Sequence, residues 1–369
     1  MVTVGAALLT LGLIMSLAAS PAVAQKIKLP LYYFANKQVI FLALAAALMV
    51  GVSLLSLDNM RRLAVSVFML SAVGIALTLV LGPDVKGASR WLYIFGVSVQ
   101  PSEIIKPAFV VVCACLFARQ NTRLDSSGAI YTFILLAGLC SLLVFQPDIG
   151  QMTLLIMVWI GVYFLAGASL FLLMFLCAVG LLGAYAIYLY LPHVTSRIDR
   201  FLDPSSGDTY QVDKAMEAVR ASGLTGAGPG NGHVKFILPD AHSDYVFAVA
   251  AEEGGLIFAG IIVALFAFVI YRCFMHVLRE PRHWVQLSVA GLTILFGLQA
   301  CINLAVNLNL MPSKGMTLPF ISYGGSSSIA SALTFGLLLG LTRRRGVVAA
   351  SGEVRPTDLR ITALREAIS

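Results

Sequence analysis

Charge is what this chain has least of. Of its 369 residues only 12% are Asp, Glu, Lys or Arg, whereas 59% are hydrophobic. A soluble domain carries about 25% charged residues, so this chain cannot cover a water-facing surface. The same composition excludes a disordered chain, a collagen and a small disulfide scaffold. A polytopic membrane protein remains, with lipid as its main solvent. Alternating segments of about ten residues are also missing, which excludes a membrane β-barrel.

Cysteine is sparse and lacks redox spacing. Cys113 and Cys115 are two apart, and they, Cys140, Cys177, Cys273 and Cys301 lie in or beside apolar runs. All six read as small core hydrophobes rather than disulfide or metal partners. The formal charge of +7 does not signal nucleic acid. Membrane proteins gather Lys and Arg on cytoplasmic loops for topological reasons. No repeat of fixed period appears, nor a symmetry between halves of the kind found in inverted-repeat transporters.

What is present is a series of about ten apolar stretches of spanning or near-spanning length. They run from Ala6 to Ala24, Val39 to Leu57, Leu63 to Gly82, Ser102 to Ala118 and Ala129 to Phe145. The others run from Ile149 to Ala166, Leu170 to Tyr190, Tyr245 to Tyr271, Trp284 to Leu308 and Ser326 to Leu341. Ala22-Val23-Ala24 has the look of a signal-peptidase site, but no Lys or Arg precedes the first run. That run is therefore read as a retained helix.

Orientation follows from arginines in short connections: Arg61 and Arg62, then Arg119 and Arg123, then Arg272, Arg279 and Arg282, then Arg343 to Arg345. If every span crosses, all lie on one side, which is the cytoplasm, and both termini are cytoplasmic. The expected fold is thus an all-α polytopic membrane protein. Residues 1–345 form one membrane domain of about ten helices, and residues 346–369 form a polar cytoplasmic tail. Residues 191–244 form a large extracytoplasmic loop between the seventh and eighth helices.

Ionisable residues inside spans cost about 3 kcal/mol each on insertion scales, so each needs a reason. Glu103 and Lys106 are three apart behind Pro101, so they share a helix face. They neutralise each other, line a polar cavity, or both. Asp148 follows Gln146-Pro147 and reads first as a helix cap. Asp244, in Asp240-Ala241-His242-Ser243-Asp244-Tyr245, stands where the large loop meets the membrane. Spacing favours a cap for the next helix, although a carboxylate there is also well placed to act on something in the outer leaflet. A zinc site of His242 and Asp244 has no third ligand. At least one of Glu252 and Glu253 must face protein rather than lipid. From Met311 to Ser327, two prolines and three glycines preclude a continuous helix. This apolar stretch reads as a re-entrant or surface-packed segment near a cavity. It lacks the GxxxxGK spacing of a P-loop.

These patches, in this order and over nearly the whole chain, resemble the SEDS family (shape, elongation, division and sporulation proteins). The matching residues are Gly12-Leu13-Ile14-Met15 with Ala19-Ser20, Lys86 to Trp91, Gln100-Pro101-Ser102-Glu103 with Lys106, and Gln146-Pro147-Asp148. Gly228-Pro229-Gly230, His242-Ser243-Asp244, Glu252-Glu253-Gly254 and Pro319 to Ser326 complete the set. Lys106 to Val110 looks most like the cell-division branch, with the elongation branch as the close alternative. The departures are small: Ala18-Ala19-Ser20 for a more serine-rich run, Ser243 for threonine and Tyr245 for phenylalanine.

The resemblance implies ten membrane helices and polymerisation of peptidoglycan glycan strands from lipid II, with inversion and loss of undecaprenyl diphosphate. It implies Asp244 as the general base, reversing the preference for a cap. Arg90, Lys314, Arg197 and Arg200 become candidates to hold the diphosphate. Glu103, Lys106, Asp148, His242, Glu252, Ser322 and Gly324 would shape the cavity. No cofactor is required, though a divalent cation, Mg or Mn, can accompany the phosphates. Implied partners are lipid II, the growing strand, a class B penicillin-binding transpeptidase and other division proteins. The implied location is the bacterial cytoplasmic membrane at the septum. Two other readings stand beside this one: a lipid II flippase, and a non-catalytic scaffold for the transpeptidase.

Overall fold

Each of the ten apolar runs folds as a helix. The computed structural model describes residues 1–83, 89–94, 96–119, 127–167, 170–190, 192–203, 210–238, 240–312 and 315–343. The helices are α1 (Val2–Lys26), α2 (Tyr33–Leu54), α3 (Leu57–Leu81), α4 (Pro101–Phe117), α5 (Ser127–Phe145), α6 (Ile149–Leu165) and α7 (Leu170–Tyr190). Then come α8 (Pro192–Leu202), α9 (Tyr210–Ala221), α10 (Val246–Val277), α11 (His283–Asn307) and α12 (Gly325–Thr342). Among the described residues, seven helices are long and apolar enough to cross a membrane singly. Those are α1, α2, α3, α5, α10, α11 and α12. α6 is shorter, and α4 carries Glu103 and Lys106 in an otherwise apolar 17 residues.

Local signals set the ends. Ser56 caps α3, its side chain accepting from the Asn59 amide at 3.3 Å. Pro101 opens α4, where its missing N–H costs nothing. The bundle has an apolar core, exposes apolar side chains as well, and encloses a set of polar groups. Leu70, Val80, Phe171 and Leu181 are exposed, whereas Lys106, Glu103, Gln38, Asn303 and Asn307 are buried. Apolar side chains face lipid and polar groups satisfy one another inside, as a hydrocarbon solvent demands. α4, α11 and α12 form the interior. α12 packs on α2, α4 and α11, and α11 also packs on α4, α6 and α10.

The structure corrects the sequence reading in three places. The fold is not purely helical: β1 (Leu92–Ile94) and β2 (Val97–Val99) pair antiparallel in the connection before α4. A positive φ of 78° at Gly96 serves that turn without a Cβ clash. The cysteines are not all core: Cys113 and Cys273 are buried, but Cys177 and Cys301 are exposed on apolar helix faces. The eighth span is longer than expected and broken, because Gly255 in α10 has φ 72° and ψ −178°. The large loop fits into this break. Ala227 and Gly228 amides donate to the carbonyls of Glu252 and Glu253 at 2.9 and 3.0 Å, and the Leu256 amide donates to Gly223. The polar tail 346–369 and Lys86 to Ala88 lie outside the described residues.

Candidate active site

The start of α10 and the segment before α12 meet at one end of the bundle. The first residue outside α10 is Tyr245, which holds the N-cap position, and no side chain caps that end. Asp244 precedes it, so the capping reading fails. Its carboxylate is half-buried, with Oδ2 3.5 Å from where a Cβ on Gly315 would stand. The backbone beneath it is held firmly. The Asp244 carbonyl accepts from Asn303 Nδ2 at 3.0 Å and Asn307 Nδ2 at 2.9 Å, both on α11. Asn307 Oδ1 in turn accepts the Ala248 amide at 3.0 Å. Neither asparagine was singled out by sequence. Their signal was there: two amides four apart within an apolar helix.

The segment ahead of α12 packs as expected, without helix. The Leu318 amide donates to Ser322 Oγ, whose hydroxyl donates to the Ser243 carbonyl at 2.5 Å. The Tyr323 amide donates to the His242 carbonyl at 2.9 Å. Gly324, the N-cap of α12, donates its amide to Gln38 Oε1 at 3.3 Å, and Gln38 Nε2 donates back to Ser322. α1 closes the far side: a Cβ on Gly12 would lie 2.1 Å from the Phe320 carbonyl oxygen. His242, Phe34 and Tyr323 form a three-ring cluster, with His242 5.0 Å from each of the others and those two 5.2 Å apart, centroid to centroid. Burial pushes the His242 imidazole down to about 4, against a smaller upward pull from Asp240. It is therefore neutral at pH 7.

The cations fall near the carboxylate. Arg197 on α8 is acted on by the charges of Arg90 and Arg200 in one sense and of Asp244 in the other. Arg197 is therefore within charge–charge range of Arg90, Arg200 and Asp244, although burial weighs on it most. Arg90 donates Nε to the Gln146 carbonyl at 3.3 Å and Nη2 to that of Pro147, with Asp148 3.7 Å from Nη1. Arg200 bonds back to Ser196 on its own helix. Lys314 lies outside the described residues.

Behind these groups a charged knot is sealed in the bundle. Lys106 Nζ donates to Glu103 Oε2 and to Gln151 Oε1, each at 2.8 Å, and Gln151 Nε2 donates to Glu103 Oε1. The pair is mutually neutralised, which is the first of the two sequence readings. Asp148 does not cap α6 with its side chain; it accepts from Gln100 Nε2 at 3.4 Å. Glu252 braces the large loop, accepting the His233 and Val234 amides at 2.6 and 2.8 Å. Glu253 pairs with buried Lys235 at 2.5 Å. Both glutamates thus face protein. Among the described residues no three His, Cys, Asp or Glu side chains converge as a metal cage.

Fold and site together define a class: a multi-pass membrane protein with charged residues buried in its bundle and a carboxylate among arginines at one end. A family profile described as cell cycle protein, covering FtsW, RodA and SpoVE, matches residues 1–346. A probable peptidoglycan glycosyltransferase FtsW from Caulobacter vibrioides is 42% identical over 351 residues, covering 94% of this chain and 90% of its own. One of the same description from Thiomicrospira cyclica is 34% identical, covering 90% and 88%. Among solved structures, a chain of a peptidoglycan synthase complex aligns with TM-score 0.78 and 29% identity, covering 94% and 97%. The rod shape determining protein RodA of Thermus thermophilus aligns with TM-score 0.67 and 26% identity, covering 92% and 95%. The chain belongs to the FtsW/RodA/SpoVE family of cell cycle proteins, the SEDS family, and is FtsW-like.

Proposed function

We propose that this chain is a peptidoglycan glycosyltransferase that polymerises lipid II at the outer face of the bacterial cytoplasmic membrane. All ten apolar helices cross the membrane, both termini are cytoplasmic, and Asp244 lies on the outer side. The observation that carries the reading is Asp244 itself. It is a half-buried carboxylate on a backbone fixed by two asparagines, within electrostatic reach of Arg197.

An acceptor sugar hydroxyl attacks the anomeric carbon of the donor muramyl unit as its proton passes to Asp244. The new glycosidic C–O bond forms on one face while the C–O bond to undecaprenyl diphosphate breaks on the other, so configuration inverts. A positioned base of this kind contributes about 10² to 10⁴ in rate. Arg197, Arg90, Arg200 and Lys314 meet the charge developing on the diphosphate. A Mg or Mn ion would accompany the diphosphate, because magnesium binds phosphates with few protein ligands. The division branch is favoured by relatives named FtsW. The matched structure, from a synthase complex that couples polymerisation to crosslinking, supports a crosslinking partner, here a class B penicillin-binding transpeptidase; action at the septum rests on the division-branch reading alone.

The test is glycan polymerisation from purified lipid II by wild type and Asp244→Asn, with and without the transpeptidase, in magnesium. Polymer from wild type and none from the folded variant is the expected result. Equal polymer from both would move the base elsewhere. No polymer from either, even with the partner, would favour the flippase or scaffold reading, and a lipid-flipping assay would separate those two.

A further inference from the structure

At the opposite end of α3 and α4 from the hairpin and Pro101, a cavity of about 570 Å³ opens between the two helices. That size falls within the 300 to 1,000 Å³ typical of small-ligand sites. Arg61, Arg62 and Arg119 line it, and Asp58 is the single carboxylate among its described lining residues. Two positive charges are in excess. Asp58 neutralises little, since it is exposed and 3.7 Å from Arg61. Arg61 is held in place by the face of Trp284, 5.5 Å from the ring centroid.

Apart from Ser66, the other walls are apolar. Val65, Val112 and Leu116 lie beside the arginines. From Val65 an exposed apolar stripe continues along α3 through Met69, Val73 and Leu77 at four-residue steps. At 1.5 Å per residue it runs about 18 Å along one helix face. Topological arginines would account for positive charge at a membrane edge. They do not account for a concave site whose charged mouth leads into an apolar track.

We propose that this site binds an anionic phospholipid in the leaflet opposite Asp244. Its phosphate sits among Arg61, Arg62 and Arg119, and an acyl chain follows Val65, Met69 and Val73. The phosphate needs the guanidinium forks for charge-assisted hydrogen bonds, and the chain needs the stripe. Basic pockets between membrane helices serve anionic headgroups for this reason. The inference is independent of the catalytic reading, because none of these residues belongs to the Asp244 site.

The test is native mass spectrometry of the full-length protein in detergent, titrated with phosphatidylglycerol or phosphatidylcholine. Inorganic phosphate and undecaprenyl diphosphate serve as competitors. Phosphatidylglycerol should bind at least tenfold more tightly than phosphatidylcholine. Arg62→Gln alone, at an exposed position, should weaken it about fivefold, as one basic residue near an anionic headgroup warrants. Val65→Glu, which sets a carboxylate where the arginines meet the acyl track, should weaken both lipids, and phosphatidylglycerol the more. Equal binding of the two lipids, or no effect of either variant, would reduce the arginines to topological charges and overturn the site. Displacement by millimolar inorganic phosphate would make it a free-anion site. Stronger binding of undecaprenyl diphosphate than of phosphatidylglycerol would assign it to a prenyl carrier instead.

Discussion

Asn307 Nδ2 donates to the Asp244 main-chain carbonyl at 2.9 Å, while its Oδ1 accepts the Ala248 amide at 3.0 Å. One side chain on α11 thereby spans the junction between the loop that carries Asp244 and the helix that follows. It touches no reacting atom in the proposed mechanism and acts by fixing the backbone on which the base rides. Asn307→Ala should lower kcat by about tenfold with little change in KM, and lower stability by about 1 to 3 kcal/mol through unpaired buried groups. Steady-state polymerisation and a melting curve on one preparation check both. An unchanged kcat in a destabilised variant would mean that Asn307 is structural alone.

The Glu103, Lys106 and Gln151 knot should be strongly non-additive. Lys106→Met leaves a buried carboxylate without its cation and should cost about 3 to 5 kcal/mol. Adding Glu103→Gln should recover most of that loss, because the remaining groups are neutral and can bond to one another. Fluorescence-detected melting of the two single variants and the double variant measures the coupling. Additive losses would show that the pair is not an energetic unit.

His242 gives the fold a pH dependence of definite sign. Its folded pKa, about 4, lies below the ordinary histidine value of about 6.5, so the unfolded chain takes up the proton first. Its contribution is complete above about pH 6.5 and is lost as pH falls toward 4, up to about 3 kcal/mol. Melting temperatures of wild type and His242→Phe should run together above about pH 6.5 and separate as pH falls toward 4, wild type dropping further. Phenylalanine keeps the aromatic packing with Phe34 and Tyr323 and cannot titrate. Parallel curves for the two proteins would place the acid sensitivity elsewhere.

Gly255 is required by backbone as well as by space. At φ 72° and ψ −178° a side chain is strained, and an added Cβ would lie 2.3 Å from the Leu224 carbonyl oxygen. Gly255→Ala should cost more than the roughly 1 to 3 kcal/mol of a strained residue, and should loosen the loop seated on the break. Limited proteolysis between residues 222 and 238 should quicken in the variant. Identical cleavage rates would show that the loop is held by Glu252 and Glu253 alone.

Much of this was legible in the chain, and the misses have a common cause. Apolar runs marked every long helix, and the three-residue spacing of Glu103 and Lys106 put them on one face. Two prolines and three glycines marked the irregular segment before α12. The cap assigned to Asp244 failed because a helix start shifted by one residue changes which group is the cap. Gln151 joins Lys106 from 45 positions away and Glu103 from 48, and Lys235 reaches Glu253 across 18. No local pattern signals either partner. The β1–β2 hairpin was missed because two three-residue strands are too short to show alternation.

By itself the sequence determined the solvent, the helices and the buried charges that need partners. Those follow from composition and from a helical period that is local to each segment. Only the tertiary structure decided which partner each buried charge meets, that Asn303 and Asn307 hold the Asp244 backbone, and that Arg197 shares its electrostatic field. In lipid, an apolar helix face gains little by choosing one apolar neighbour over another, so pairing is set by close packing and hydrogen bonds between helices. Those contacts depend on how whole helices pack, which no single segment encodes.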